Sequence, residues 1–181
     1  MIKILFKTRL NGIHIIKRII FTICFFLAFG FVVEISVAEK ILVGETAWVK
    51  VEGTSYEYLA RIDTGAQTTS IHAIDVRVIN GSGNPEENVG KTVTFKTLNR
   101  KGESTVLQFP IIKVSSIKNS QGKEQRYVIE LQLSLGDVKK NTPVNLRDRT
   151  KMKYKLLIGR SLLSKDFLVD VDLKAEKKGD E

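Results

Sequence analysis

The run Leu59-Ala60-Arg61-Ile62-Asp63-Thr64-Gly65-Ala66 reads as an apolar strand that ends in a carboxylate and a turn. A carboxylate fixed at a strand end is placed for general acid or base chemistry. Gly65 lets the backbone turn tightly and aim its N–H back at Asp63. Thr64 carries a hydroxyl that can hydrogen-bond across to a second copy of the loop, holding two carboxylates in register. The same tripeptide is also explained, without chemistry, by an Asp that caps its own polar turn.

A second signal lies late in the chain. Leu156-Leu157-Ile158-Gly159-Arg160-Ser161-Leu162-Leu163 is an apolar strand, a glycine and the start of a short helix. Alone, it is any buried strand closed by a glycine turn. Asp75, Asp137, Asp148, Asp166 and Asp170 lack the Thr-Gly context, so one chain supplies one such carboxylate. His72 comes nine residues after Asp63, and a partly buried structural histidine is its simplest reading. Arg160 pairs with a carboxylate under the site, pairs with Asp170, or lies on the surface. Ala66 has no side-chain hydrogen bond to offer a carboxylate, so activity is expected to peak at mildly rather than strongly acidic pH.

The elements that must position these residues read as strands. Ala47–Val51 and Tyr56–Ile62 flank Glu52-Gly53-Thr54-Ser55 as one hairpin. Thr92–Thr97 and Ser104–Phe109 flank Asn99-Arg100-Lys101-Gly102 as a second. Ile111–Ile117 and Arg126–Leu135 flank Asn119-Ser120-Gln121-Gly122-Lys123 as a third. Either the tip at Gly102 or the tip at Gly122 is placed to cover a substrate. Asn80-Gly81-Ser82-Gly83-Asn84-Pro85 is a loop. Trp48 and Tyr58 are assigned to the core. Short strands at this spacing predict an all-β barrel or sandwich, with its only helix near Arg160–Lys165.

Composition sets the outer bounds. The chain has 181 residues, 43% hydrophobic and 27% charged, an ordinary globular balance. One Cys and two His exclude a disulfide scaffold and a Cys/His-rich metal site. The formal charge is +9, but the first 38 residues hold five bases and one acid, so the remainder carries +5. Those first residues pair a basic stretch with a 15-residue apolar run, Ile19–Val33, and then Ser36-Val37-Ala38. This pattern predicts a signal peptide cleaved after Ala38. An uncleaved inner-membrane anchor is the alternative, although the run is shorter than the roughly 20 residues of a spanning helix. Either way the rest of the chain is expected to be exported, periplasmic or tethered facing the periplasm. Residues 39–173 form the expected domain, and 174–181 a charged tail. The dense bases between Arg147 and Lys155 are read as a solvated loop, or else as a patch for an anionic surface. No nucleic-acid partner is expected.

Asp63-Thr64-Gly65-Ala66 early, with Leu157-Ile158-Gly159-Arg160 late on an all-β chain, resembles the retropepsin-like aspartic proteases. Ile62–Ala73, with its Thr68-Thr69-Ser70-Ile71-His72, and Phe167-Leu168-Val169-Asp170 narrow the resemblance. They are similar to a bacterial retropepsin-like family often labelled "ATP-dependent zinc protease". The resemblance covers about residues 39–173. It implies a small closed acid-protease barrel with one short C-terminal helix. It implies an aspartic endopeptidase in which Asp63 and its symmetry mate form a dyad at the axis of a homodimer, cutting a peptide or protein substrate with an activated water. Thr64 and Gly65 would hold Asp63, while Ala66, His72, Gly159 and Arg160 would support the site or the substrate. No metal or other cofactor is expected, because the sequence has neither His-Glu-x-x-His nor Gly-x-x-x-x-Gly-Lys. The middle of the chain is long for this architecture, with Gly159 following Asp63 by 96 positions. A non-catalytic peptide- or envelope-binding module of the same fold is the competing reading. A basic protein that binds anionic lipid or polysaccharide is a third.

Overall fold

The computed structural model describes residues 39–119 and 122–175. The expected signal segment and most of the charged tail lie outside the described residues. The described residues form eleven strands, one short α-helix and one 3-10 turn, Pro85–Asn88. Strands β1 (Ile41–Val43) and β11 (Phe167–Val169) make a small parallel sheet, in which Leu42 faces Leu168. The others are β2 (Thr46–Val51), β3 (Glu57–Ile62), β4 (Thr69–His72), β5 (Ile74–Val78), β6 (Thr92–Leu98), β7 (Ser104–Asn119), β8 (Gly122–Leu135), β9 (Val138–Arg147) and β10 (Leu156–Ile158). Helix α1 is Arg160–Leu163.

Six strands close a barrel. The order runs β2-β3-β10-β4-β9-β8, and β8 returns to β2 through Val49, Lys50 and Val51. Strands β7, β6 and β5 continue outward from β8. Closure removes the free edges of the six barrel strands, and β5 is the outer strand of the extension. Inside sit Val49, Ala60, Ile71, Ile129, Leu131, Leu133, Val144, Leu156 and Ile158, all fully buried. They occupy alternate positions where one sheet face is wet, as on β2 and β3. Burying each large aliphatic side chain contributes roughly 1.5–3 kcal/mol. Leu162 and Leu163 of α1 close one end of the same core.

All three expected hairpins form: β2–β3, β6–β7 and β7–β8. Strand β7 is longer than expected because one continuous strand serves two hairpins, bending at an irregularity between Ile111 and Lys113. Ile41–Val43 lies outside the first hairpin's sheet. Strands β4 and β9 are additions to the sequence reading. They pair with each other in parallel across 75 positions, from Thr69↔Val144 to His72↔Arg147.

Candidate active site

Asp63 follows the last residue of β3, where that strand runs parallel to β10. Its own N–H donates to Ile158 O at 2.9 Å, so the carboxylate hangs from two core strands at once. The Asp63 Oδ1 accepts from the N–H of Gly65 at 2.9 Å and of Ala66 at 3.1 Å. A Cβ on Gly65 would lie 3.2 Å from that oxygen, so glycine permits the close approach. Asp63 itself is half-buried, whereas Thr64 and Gly65 are exposed.

The late segment braces this loop as one piece. Gly159 lies against the backbone of Ala66 and Thr68, and its N–H donates to Thr69 Oγ1 at 3.1 Å. The N–H groups of Arg160 and Ser161 donate to the carbonyls of Ala66 (2.9 Å) and Gln67 (3.0 Å). Ser161 Oγ accepts from Thr69 N–H at 3.0 Å. The first turn of α1 therefore spends its otherwise unpaired N–H groups on the loop that follows Asp63.

Arg160 pairs with no carboxylate; it is exposed, as the surface alternative has it, and it braces the Asp63 loop. Its Nη1 donates to the carbonyls of Thr64 at 2.8 Å and Gly65 at 3.1 Å. The two carbonyls point outward at a turn, where a guanidinium satisfies both and an aspartate would not. Arg160→Ala is expected to leave the melting temperature within a few degrees, because Arg160 is exposed, and to lower kcat about tenfold by loosening the loop. Steady-state kinetics beside a thermal melt would check this, and an unchanged kcat would remove Arg160 from the site's support.

His72 is more deeply placed than its sequence reading, with 1% of its surface exposed. Its Nδ1 accepts from Arg149 N–H at 2.9 Å and so carries no proton. Asp148 lies 3.7 Å from the same nitrogen and is not an ion-pair partner while the ring is neutral. Burial, with the nearby charge of Lys155, holds the ring below its ordinary pKa, against the pull of Asp148. The folded ring resists protonation that the unfolded ring accepts from about pH 6.5 downward. Stability is thus complete above that pH and falls as acid is added, until the folded ring's own lower pKa is passed. His72→Asn supplies an acceptor at the Nδ1 position without a titration. It should flatten the fall in urea midpoint between pH 7 and pH 5, and an identical slope in both proteins would refute this.

A cleft of about 490 Å³ opens beside Asp63. The third hairpin overhangs it: Ser115, Ser116 and Ile117 of β7 line it, whereas the Gly102 hairpin borders a different groove, at Trp48. The cleft floor holds Ser70 and Asn145, paired in register on β4 and β9. Arg126, Arg147 and Arg149 complete it. Arg126 and Arg149 are over nine-tenths buried. Burial and the charges of Arg147 and Arg126 hold Arg149 down to about 10, and the charge of Asp63 acts in the opposite sense. The stretch from Arg147 to Lys155 is thus not simply a solvated loop, since it folds two guanidinium groups into the cleft. The sequence marks Arg147 and Arg149 only as part of a basic stretch, and it gives no sign that Arg126, Ser70 and Asn145 join them, because strand pairing across long separations collects these residues. Among the described residues, no three His, Cys, Asp or Glu side chains gather as a metal-binding group.

The family model described as "Retropepsin-like aspartic endopeptidase RimB" matches residues 42–178. A probable alpha-L-glutamate ligase of Shewanella halifaxensis is 30% identical over 136 residues, 72% of this chain and 28% of that protein. One from Desulfotalea psychrophila is 32% identical over 142 residues, 76% of this chain and 29% of that protein. The chain therefore spans under a third of the length of these curated relatives. A crystal structure of a Legionella pneumophila protein of unknown function is alike in fold, with a TM-score of 0.61 and 24% identity over 76% of this chain and 98% of that one. The closed barrel, the braced Asp-Thr-Gly loop and the match from Leu42 onward lead to one conclusion: this chain belongs to the RimB-like family of retropepsin-like aspartic endopeptidases.

Proposed function

We propose that this chain is an aspartic endopeptidase that acts as a homodimer on acidic peptides. The observation that carries the reading is the Asp63 carboxylate, fixed by two N–H groups and opening onto a cleft under a hairpin. One loop provides one carboxylate, and the reaction needs two. Two carboxylates brought together share one proton, because both cannot ionise at close range. The ionised member takes a proton from water while the water oxygen bonds to the scissile carbonyl carbon. The protonated member gives its proton to the carbonyl oxygen. Collapse of the tetrahedral intermediate breaks the C–N bond, and the nitrogen leaves with a proton.

Two exposed features support a second copy. Thr64 lies at the surface of the loop, open to a facing loop. Leu42 and Leu168, partners in register, are 56% and 54% exposed on the small sheet. The acidic substrate is supported by Arg126, Arg147 and Arg149, a cationic lining beside the carboxylate. The relatives are named for α-L-glutamate, which agrees with a glutamate-bearing peptide as substrate for this chain.

The test is cleavage of a diverse peptide library by the wild-type chain and by Asp63→Asn, with sedimentation to read the oligomeric state. Cleavage of acidic peptides by a dimer, lost in the variant, is the expected result. A wild-type chain that binds peptides and cuts none would favour the non-catalytic binding module.

A further inference from the structure

Three residues that line the Asp63 cleft each carry a buried polar atom with no hydrogen-bond partner: Arg126 Nε, Ser70 Oγ and Asn145 Oδ1. An orphaned buried donor or acceptor costs roughly 1–3 kcal/mol, so three in one cleft mark a place where a ligand supplies the partners. The register explains their meeting. Ser70 on β4 pairs with Asn145 on β9, and Asn145 pairs with Val128 on β8. Arg126 lies two positions along from Val128, on the same face of β8.

The atom types define the ligand. Arg126 Nε is a donor and requires an acceptor. Ser70 Oγ can donate or accept. Asn145 Oδ1 is an acceptor and requires an N–H. A simple anion satisfies the first two and leaves the third unpaired. An acidic residue within a peptide brings a carboxylate and an amide N–H together and satisfies all three.

Arg126 already holds a carboxylate by its other nitrogen on that edge. Its Nη2 donates to Glu124 Oε2. Glu124 lies two residues earlier on the same strand face and is 42% exposed, whereas Arg126 is 7% exposed. Glu124 faces Ile117 in register, and Ile117 lines the cleft. The Nε and Nη2 groups of an arginine form a fork that matches the two oxygens of one carboxylate. Glu124 occupies one prong and leaves the other empty. A carboxylate entering from the cleft would engage both.

We infer that Arg126, with Ser70 and Asn145, reads an acidic side chain of the substrate, and that Glu124 occupies part of this subsite until the substrate displaces it. The inference rests on the acidic-peptide reading above and assigns it to one side chain among the three arginines. Arg126 touches substrate in this scheme, and Glu124 sets the threshold for binding. The exchange is favourable because one charged hydrogen bond is replaced by two, while Glu124 returns to water.

The test uses the full chain carrying Asp63→Asn, so that binding is read apart from cleavage. Fluorescein-labelled, acetylated (Glu-Ala)₄ and (Gln-Ala)₄ peptides serve as probes in anisotropy titrations. The Glu peptide is expected to bind at least about tenfold tighter than the Gln peptide. Arg126→Gln should bring the two within about twofold. Glu124→Gln should tighten the Glu peptide at least about threefold and leave the Gln peptide unchanged. Should Arg126→Gln fail to fold, Ser70→Ala replaces it, with the preference expected to fall at least about threefold. A Glu preference that survives Arg126→Gln, or Ser70→Ala in its place, overturns the inference while the acidic-substrate reading stands. So does a Glu124→Gln chain that binds the Glu peptide no more tightly. Equal binding of both peptides by the starting chain overturns the acidic reading and this inference with it.

Discussion

Asp63→Asn is expected to fold like the wild type and to lose peptide cleavage by at least about 10³-fold. The structural half follows from the hydrogen bonds. Asp63 Oδ1 accepts from Gly65 and Ala66, and an amide oxygen can accept the same two bonds. The Asp63 N–H bond to Ile158 involves only backbone and is unaffected. The chemical half follows from the proton. An amide neither takes a proton from water nor shares one with a facing carboxylate. In a homodimer the substitution removes both members of the pair at once, so no wild-type half remains. A tandem chain with one substituted copy would separate the two contributions. Turnover assays with matched circular dichroism melts are the check. Full cleavage by a well-folded variant would overturn the aspartic mechanism, and parallel loss of fold and activity would overturn the expectation that an amide holds the loop as the carboxylate does.

Legibility in the sequence followed the distance over which a contact acts. Hairpins were readable because turn chemistry is local: Glu52–Ser55 and Asn99–Gly102 join strands that pair with each other. The Asp63 loop and the Gly159 segment were readable as two motifs, since each holds its residue types within a few positions. Their mutual contact was legible only through resemblance, because no periodicity links positions 96 apart. Parallel pairing of β4 with β9 was hidden for the same reason, and the cleft floor with it. Arg126 looked like the polar first residue of a strand. It is buried where β8 pairs with β7, opposite Ser115, a partner that its sequence neighbours do not announce. For Arg160 the surface position was legible and the partner was not, because a guanidinium in a sequence suggests a carboxylate. In the fold, two carbonyls at an exposed turn present the stronger demand.

Gly159→Ala is the second substitution expected to act strongly, and it tests whether the brace behind the loop matters as much as the carboxylate in front. A Cβ on Gly159 would lie 2.8 Å from Ala66 O, 2.8 Å from Thr68 C and 2.9 Å from Thr68 O. All three atoms are backbone, so no side chain can swing aside to admit it. The strain is one of space and not of backbone conformation, since Gly159 has φ −99°, open to any residue. Relief requires α1 to move away from the loop. That movement lengthens Arg160 N–H to Ala66 O, Ser161 N–H to Gln67 O and Gly159 N–H to Thr69 Oγ1 together. Overpacking of this kind costs roughly 1–3 kcal/mol. For a domain of this size the melting temperature should fall by several degrees. Activity should fall further than stability, because Ala66 also donates to Asp63 Oδ1, and a displaced Ala66 tilts the carboxylate. Misplacing a reacting group by about 1 Å can cost on the order of 10²-fold in rate. The decisive comparison is kcat at a temperature where the variant is fully folded. A deficit there of about 10²-fold places Gly159 in the machinery that aims Asp63, whereas wild-type kcat in a merely less stable protein would confine the glycine to packing.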